Sequence, residues 1–444
     1  MKNRLIALLL CLVLAVTFTG CIPRDNTITT TESEALSTQA EPTIPSATDG
    51  YDKVDPNVLD FSLDLYTAVE LDRGFDALQT DAQRQCYRLM EDSVFYISQE
   101  SEEGVYNILP VSVAGVNLTQ SELHLIISAF TFDHPEVFWI DNAFTYYDTS
   151  GATHLMLASN MSAQQVTASA KEMHAELREV FSGMPGNLSE FDRELYIHDK
   201  LIERCEYADE ATRADSGADI YTSLGSIVNS LAVCEGYTRG VQLMLSLVGI
   251  ESYYVYGRGN NELHMWNSVR ISDNWYYLDA TWDDNGQKGA SYNNFNITTE
   301  QALKDRTIAP LYSTLTAEEI CGTSSTPAVN FNLFVPDCNA DNMSFYAHNA
   351  VTVTGFDEEN LNTIAQAIAD AAVKDEEAVH LYIDPYYMEY QTAKDYLLSG
   401  DYLIFDCISR ANSLLDGVTV SDESVATEES EDLYILTLFF EYGN

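Results

Sequence analysis

The chain has 444 residues, with 22 basic and 69 acidic side chains and a formal net charge of −47. With 46% hydrophobic and 11% aromatic residues it can bury the cores of two or three domains, so wholesale disorder is excluded. The acidic excess excludes nucleic acid as a partner, because long-range repulsion opposes association.

In chain order, residues 1–21 form a first unit. Lys2 and Arg4 precede an apolar run from Leu5 to Phe18, which closes on Phe18-Thr19-Gly20-Cys21. The run is short for a membrane span and ends on small residues, which predicts an export signal. Its ending resembles the bacterial lipobox, which implies lipidation of Cys21 and anchoring to the outer face of the cytoplasmic membrane. A plain secretory signal or an uncleaved anchor is the alternative. Residues 22–55, rich in Thr, Ser, Glu, Ala and Pro, are too polar to bury and predict a disordered tether. Residues 56–186 predict an N-terminal α+β domain. Helical patterning runs around Thr80 to Ser98, and a second helix from Thr119 through Phe130 stops at His134-Pro135. The strand-like EVFWIDNAFTYYD then pairs with THLMLAS, and an amphipathic helix runs from Ser162 to Phe181.

The block 187–323 carries the chemistry. Around Cys234 the chain reads SLGSIVNSLAVCEGYTRGVQLMLSLVGI. Val241, Met244, Leu245 and Val248 recur at helical spacing and Gly249 supplies a stop, so a helix begins near Cys234. Unpaired N–H groups and the macrodipole favour a thiolate there. Cysteine is also a common core residue, so position alone does not decide its role. SYYVYG then reads as a strand, GRGNNE as a turn, LHMWNSVRI as a strand and WYYLDATWDD as another. With Ser272 and Asp273 as the two turn residues, Ile271 pairs with Asn274 and Trp266 falls opposite Asp279. His264 then lies diagonal to Asp279 on the same face. A carboxylate holding one nitrogen of an imidazole leaves the other for a thiol. His198-Asp199, in mid-helix with no second ligand pair, reads as structural packing.

Residues 324–444 predict a small C-terminal α+β domain. It reads as strands FNLFV and VTVTG, helix Glu358 to Lys374, and strand VHLYID. Helices from about Gln391 and Cys407 and a final strand, LYILTLFFEY, complete it. The acidic run SDESVATEESED before that strand reads as a solvated loop. The cysteines, at 11, 21, 86, 205, 234, 321, 338 and 407, show no CxxC and no paired His spacing, so zinc is not expected. Thr281 to Gly286 lacks the first and twelfth ligands of a calcium loop, and neither Walker nor GxGxxG patterns stand out. No metal or cofactor is expected.

VCEGY at a helix start, then HMWNSV, then WYYLDATWDD resemble the transglutaminase-like superfamily, whose core is a papain-related cysteine fold. LYIHDKLIERCEY, DIYTSLGSIV and DHPEVFWI also resemble its compact bacterial members, and the resemblance covers roughly a third of the chain. It implies an α+β fold with a papain-like core over 187–323, Cys234 as nucleophile, His264 as general base and acid, and Asp279 as orienter. The backbone N–H of Cys234 is a candidate oxyanion donor. Tyr221 resembles an aromatic found before the cysteine in bacterial members, with a core tyrosine as the alternative. Trp266 reads as a wall of the cleft. The implied chemistry is thiolate attack on an amide of a protein or peptide substrate, giving a thioester resolved by water or by an amine. Hydrolysis is favoured over transamidation, since water outside the cell competes strongly. A surface binding module with little catalysis is the alternative of a different class.

Overall fold

The computed structural model describes residues 48–443 except 64, 150, 287–289, 324, 377 and 424. The predicted export signal, Cys21 and most of the predicted tether lie outside them. The folded part begins earlier than residue 56, because Tyr51–Lys53 (β1) pairs with Tyr96–Glu102 (β2) and Val54 is fully buried beside it. Three backbone pairings and one buried valine dock the end of the polar stretch.

In the N-terminal block the helices start where their caps dictate. Asp81–Ser93 (α1), Gln120–Asp133 (α2) and Ala163–Ser182 (α3) each open with a capping box, Thr80 with Gln83, Thr119 with Glu122 and Ser162 with Gln165. α1 ends at Ser93 rather than Ser98, and the chain continues into β2. Val105–Ile108 (β3), Val111–Ala114 (β4), Ile140–Thr149 (β5) and Ala152–Ser159 (β6) complete the sheet in the order β1-β2-β3-β6-β4, with β5 also on β6. The β5–β6 pairing is antiparallel, as the sequence predicts.

The central block contains Glu190–Arg204 (α4), Glu206–Tyr207 (β7), Leu231–Ala232 (β8) and Cys234–Leu247 (α5). Ser252–Gly259 (β9), Glu262–Ile271 (β10), Asn274–Leu278 (β11) and Arg306–Ile308 (β12) follow, forming a sheet in the order β11-β10-β9-β12. α5 is buried on nearly every side. A Cβ on Gly236 would lie 2.4 Å from the Ile220 carbonyl oxygen, and one on Gly240 would lie 2.3 Å from Ser226 Oγ. The two glycines, four apart on one face, let α5 sit against the single turn Ala218–Tyr221 and the short helix Ser223–Ile227 that follows it. On its other side Arg239 Nη1 donates to the Thr131 carbonyl at 3.0 Å and Gln242 Nε2 to that of Phe132 at 2.7 Å, tying α5 to α2. One hydrophobic cluster therefore runs from Val54 to Phe345, through both the N-terminal and central blocks.

The C-terminal block has its own core beneath Val351–Val353 (β13), Glu358–Lys374 (α6), Ala378–Ile383 (β14), Tyr390–Leu398 (α7) and Leu403–Leu414 (α8). Thr419–Val420 (β15), Ala426–Ser430 (β16), Ile435–Phe439 (β17) and Tyr442–Gly443 (β18) follow. The main sheet runs β13-β14-β17-β16. Two expectations are corrected here. FNLFV is not a strand of this block. Asn332 is instead buried against the central sheet, where its Oδ1 accepts from Tyr256 N at 2.7 Å and its Nδ2 donates to the Tyr256 and Ala309 carbonyls at 2.9 Å. Part of the acidic run is also ordered, as β16 on the sheet edge, with its backbone paired to β17 and its side chains largely exposed. Among the described residues no helix is long and apolar enough to cross a membrane.

Candidate active site

α5 starts at Cys234 because Val233 is held extended, with its N–H donating to the Ile220 carbonyl at 3.0 Å, just after the two-residue parallel pairing of β7 and β8. No side chain caps the helix, and Glu235 stands in its first turn. One turn on, Thr238 Oγ1 donates to the Met265 carbonyl at 3.1 Å, and Asn267 Nδ2 donates to the Thr238 carbonyl at 3.0 Å. These bonds fix β10, and with it His264, beside the first turns of the cysteine helix. Cys234 and Met265 share a hydrophobic cluster with Ile220, and Tyr221 packs against it.

The hairpin has the predicted register. Ile271 pairs with Asn274, and the ladder runs to Asn267 opposite Leu278. Ser272 and Asp273 both take positive φ, 48° and 68°, as a tight two-residue hairpin turn requires. The preceding turn is tighter than GRGNNE suggests. β9 continues through Gly259, and Asn260 and Asn261, at φ 51° and 67°, make the turn. Just past the end of the β10–β11 ladder, His264 Nε2 and Asp279 Oδ2 are 2.7 Å apart, and both residues are buried. Burial opposes ionisation of Asp279, but the charges and hydrogen bonds of His264 and Arg306 outweigh it and hold the carboxyl down at about 2. An ionised carboxylate only accepts, so Nε2 carries the proton of this bond and Nδ1 is left over.

Trp266, expected as a wall of the cleft, is buried, with its ring stacked 5.7 Å from that of His264. Trp282 is also stacked on the imidazole, at 5.0 Å. Two glycines in β9 make room for these indoles. A Cβ on Gly257 would lie 2.6 Å from Trp266, and one on Gly259 would lie 2.4 Å from Trp282.

Sequence reasoning missed Arg306. Its Nη2 donates to Asp279 Oδ2 at 2.7 Å and to Asn294 Oδ1 at 2.7 Å. It stands 27 residues after its carboxylate on a three-residue strand, and no local pattern marks it. The alternating Gly257 and Gly259, a cue to close approach from a neighbour, are the nearest signal. Behind it, Asn294 Nδ2 donates to Asp283 Oδ1 at 3.0 Å, and Asp283 Oδ2 lies 3.3 Å from the buried His198 Nε2. Burial disfavours a charged His198, but Asp199 and Asp283 prevail and push its pKa up to about 9.

Among the described residues, cysteines 86, 205, 321, 338 and 407 are free thiols. Burial pushes Cys86, Cys205 and Cys338 up to about 12 and Cys407 up to about 11. A cavity of about 840 Å³ opens at the far end of α5, lined by Glu70, Asp72, Asp133, His134 and Ser246 among others, and none of the predicted site residues line it. No group of three or more His, Cys, Asp or Glu side chains among the described residues could hold a metal ion.

Residues 178–280, under a quarter of the chain, match the family model of the transglutaminase-like superfamily. The match takes in Cys234, His264 and Asp279 and ends before Arg306. This segment is similar to a transglutaminase-like domain. No curated protein sequence matches the chain. Among solved structures, one described as a TGase is 13% identical over 42% of this chain and 54% of its own, at a TM-score of 0.24. A candidate cysteine protease from Cytophaga hutchinsonii is 13% identical over 32% of this chain and 62% of its own, at 0.21. A candidate protease from Parabacteroides distasonis is 9% identical over 32% and 36%, also at 0.21. The chain therefore spans less than two thirds of the length of each. The mixed helices and sheets, with the likeness to the transglutaminase-like superfamily, make the core α+β.

Proposed function

We propose that the protein is a cysteine acyl-transfer enzyme acting on amide bonds of protein or peptide substrates, with Cys234 as nucleophile, His264 as base and acid, and Asp279 as orienter. The observation that carries the reading is the buried 2.7 Å bond between His264 and Asp279 on strands tied to the helix that begins at Cys234. In this reading the thiol proton passes to His264 Nδ1, and the thiolate forms its C–S bond to the amide carbonyl carbon. The imidazolium returns the proton to the leaving amine as the C–N bond breaks, leaving a thioester. Water, deprotonated by the same nitrogen, then forms its C–O bond to the thioester carbon, and the C–S bond breaks as that proton returns to the Cys234 sulfur and the acid leaves. The N–H of Cys234 at the helix start, with Tyr221 beside it, would face the oxyanion. Hydrolysis is the favoured outcome, and an amine in place of water would give transamidation. A lipid anchor at Cys21 belongs to the same proposal and is supported by the sequence of residues 1–21 alone.

The test uses reduced full-length protein. Cys234 is expected to react with iodoacetamide well below pH 8, where the other buried thiols stay protonated, and His264→Ala is expected to slow it at least tenfold. An inert Cys234 would leave only the binding-module reading. Incubation with a glutamine-containing protein and a labelled amine then separates the reactions: peptide fragments or free ammonia alone mean hydrolysis, and incorporated label means transamidation.

A further inference from the structure

We propose that Arg306 is the positioning residue of the catalytic pair. Its guanidinium clamps the Asp279 oxygen that holds His264 and supplies the positive charge that favours anions in the site. The proposal rests on the Cys234–His264–Asp279 reading.

Arg306 opens β12, opposite Gly259 on the edge of the central sheet, and is only 3% exposed. Its Nη2 and Nε reach Asp279 Oδ2 at 2.7 and 3.3 Å, while Asn294 Oδ1 and Asp305 Oδ1 hold the remaining directions of the fork. The guanidinium lies 3.7 Å from the centroid of Trp282 and 5.8 Å from that of Trp266, the two rings that also hold the imidazole of His264. Imidazole and guanidinium thus share one aromatic seat and one carboxylate oxygen. Stability alone does not account for this, because a buried ion pair roughly breaks even against apolar packing. Orientation does: a planar fork fixed by three acceptors and an indole keeps Oδ2 where Nε2 needs it.

Charge gives the second role. Asp279 alone would set a buried negative charge on the imidazole that serves the thiol. Arg306 cancels it. The other titratable groups close to the pair are Asp305, bonded to Arg306, and Tyr207, whose phenol feels the charges of Arg213, Glu262 and Asp279. Against a chain of net charge −47, the buried guanidinium is the cation in contact with the pair. Losing it disfavours both anions of the site, the Asp279 carboxylate and the Cys234 thiolate, so the two effects move reactivity in one direction.

The test is the pH profile of iodoacetamide alkylation at Cys234 in reduced full-length protein, with circular dichroism as the folding check. In Arg306→Gln the acid limb is expected to move towards neutral by about one pH unit. Arg306→Lys, which keeps the charge and loses the fork, is expected to move it less than half as far. A merely structural arginine would lower the plateau and leave the limb in place, and that result overturns the proposal. His264→Ala in the parent background guards the underlying reading. If that variant alkylates as fast as the parent, the triad reading fails; if it is slow and the Arg306→Gln limb stays put, only the arginine proposal fails. Should Arg306→Gln not fold, Arg306→Lys and Asn294→Ala decide, since each loosens the clamp. A limb displaced in both supports the proposal, and one displaced in neither or in only one overturns it.

Discussion

Asp279 accepts from three residues at once. Oδ2 takes His264 Nε2 and the Arg306 fork, and Oδ1 takes the backbone N–H of Trp282 at 3.2 Å. Such a carboxylate cannot be removed without stranding its partners. Asp279→Ala is expected to lower stability by about 3–5 kcal/mol, because it leaves a guanidinium buried and unpaired. Adding Arg306→Met should recover much of that loss while His264-dependent alkylation of Cys234 stays absent. Urea unfolding of the single and double variants checks the first part and thiol labelling the second. A double variant no more stable than the single would mean that the cost lies in packing around Trp282 and not in the stranded charge.

At the scale of elements, the site depends on how closely α5 approaches the segment carrying Tyr221. Gly236 faces a backbone carbonyl, which cannot rotate away, whereas Gly240 faces the hydroxyl of Ser226, which can. Gly236→Ala is therefore expected to destabilise by about 1–3 kcal/mol and to slow Cys234 alkylation, with Gly240→Ala the milder of the two. Thermal melts give the order, and an inverted order would show that the Ile220 backbone is free to shift. These elements also show what the sequence made legible. The α5 start, the register of β10 with β11 and the diagonal placing of His264 and Asp279 follow from local periods and a two-residue turn, both written in consecutive residues. Arg306, Asn294 and Asn332 were not legible, because their meaning lies in partners far along the chain that only the closed sheet brings near. β16 was misread for a related reason. Its acidic side chains look like a loop, but an edge strand needs only backbone pairing and can leave its side chains in water.

For the whole molecule, the buried titratable groups set a pH window. Burial of Glu194 raises its carboxyl from the ordinary 4.5 to about 8, despite the Asn296 hydrogen bond, so its contribution to stability is fully present below 4.5 and is lost as pH rises through 8. His198, raised from 6.5 to about 9, contributes fully below 6.5 and loses that contribution as pH rises through 9. Asp279 works the other way, contributing above 3.8 and losing that as pH falls through about 2. The melting temperature is therefore expected to fall from pH 4.5 to 9, most steeply between 6.5 and 8 where both groups contribute, and His198→Gln should flatten the fall above 6.5 whatever it does to the absolute stability. An equally steep alkaline slope in the variant would assign the loss to other groups. The amide of Asn332 and the strand beginning at Arg306 together close the outer side of β9, from Tyr256 to Gly259. The length of chain that carries the family likeness, 178–280, contains neither. Kinship and self-sufficiency thus have different boundaries. A transplant cut at the likeness would carry Cys234, His264 and Asp279 into its new host with a bare strand edge open to a second copy, and the shortest portable unit extends at least to Asn332.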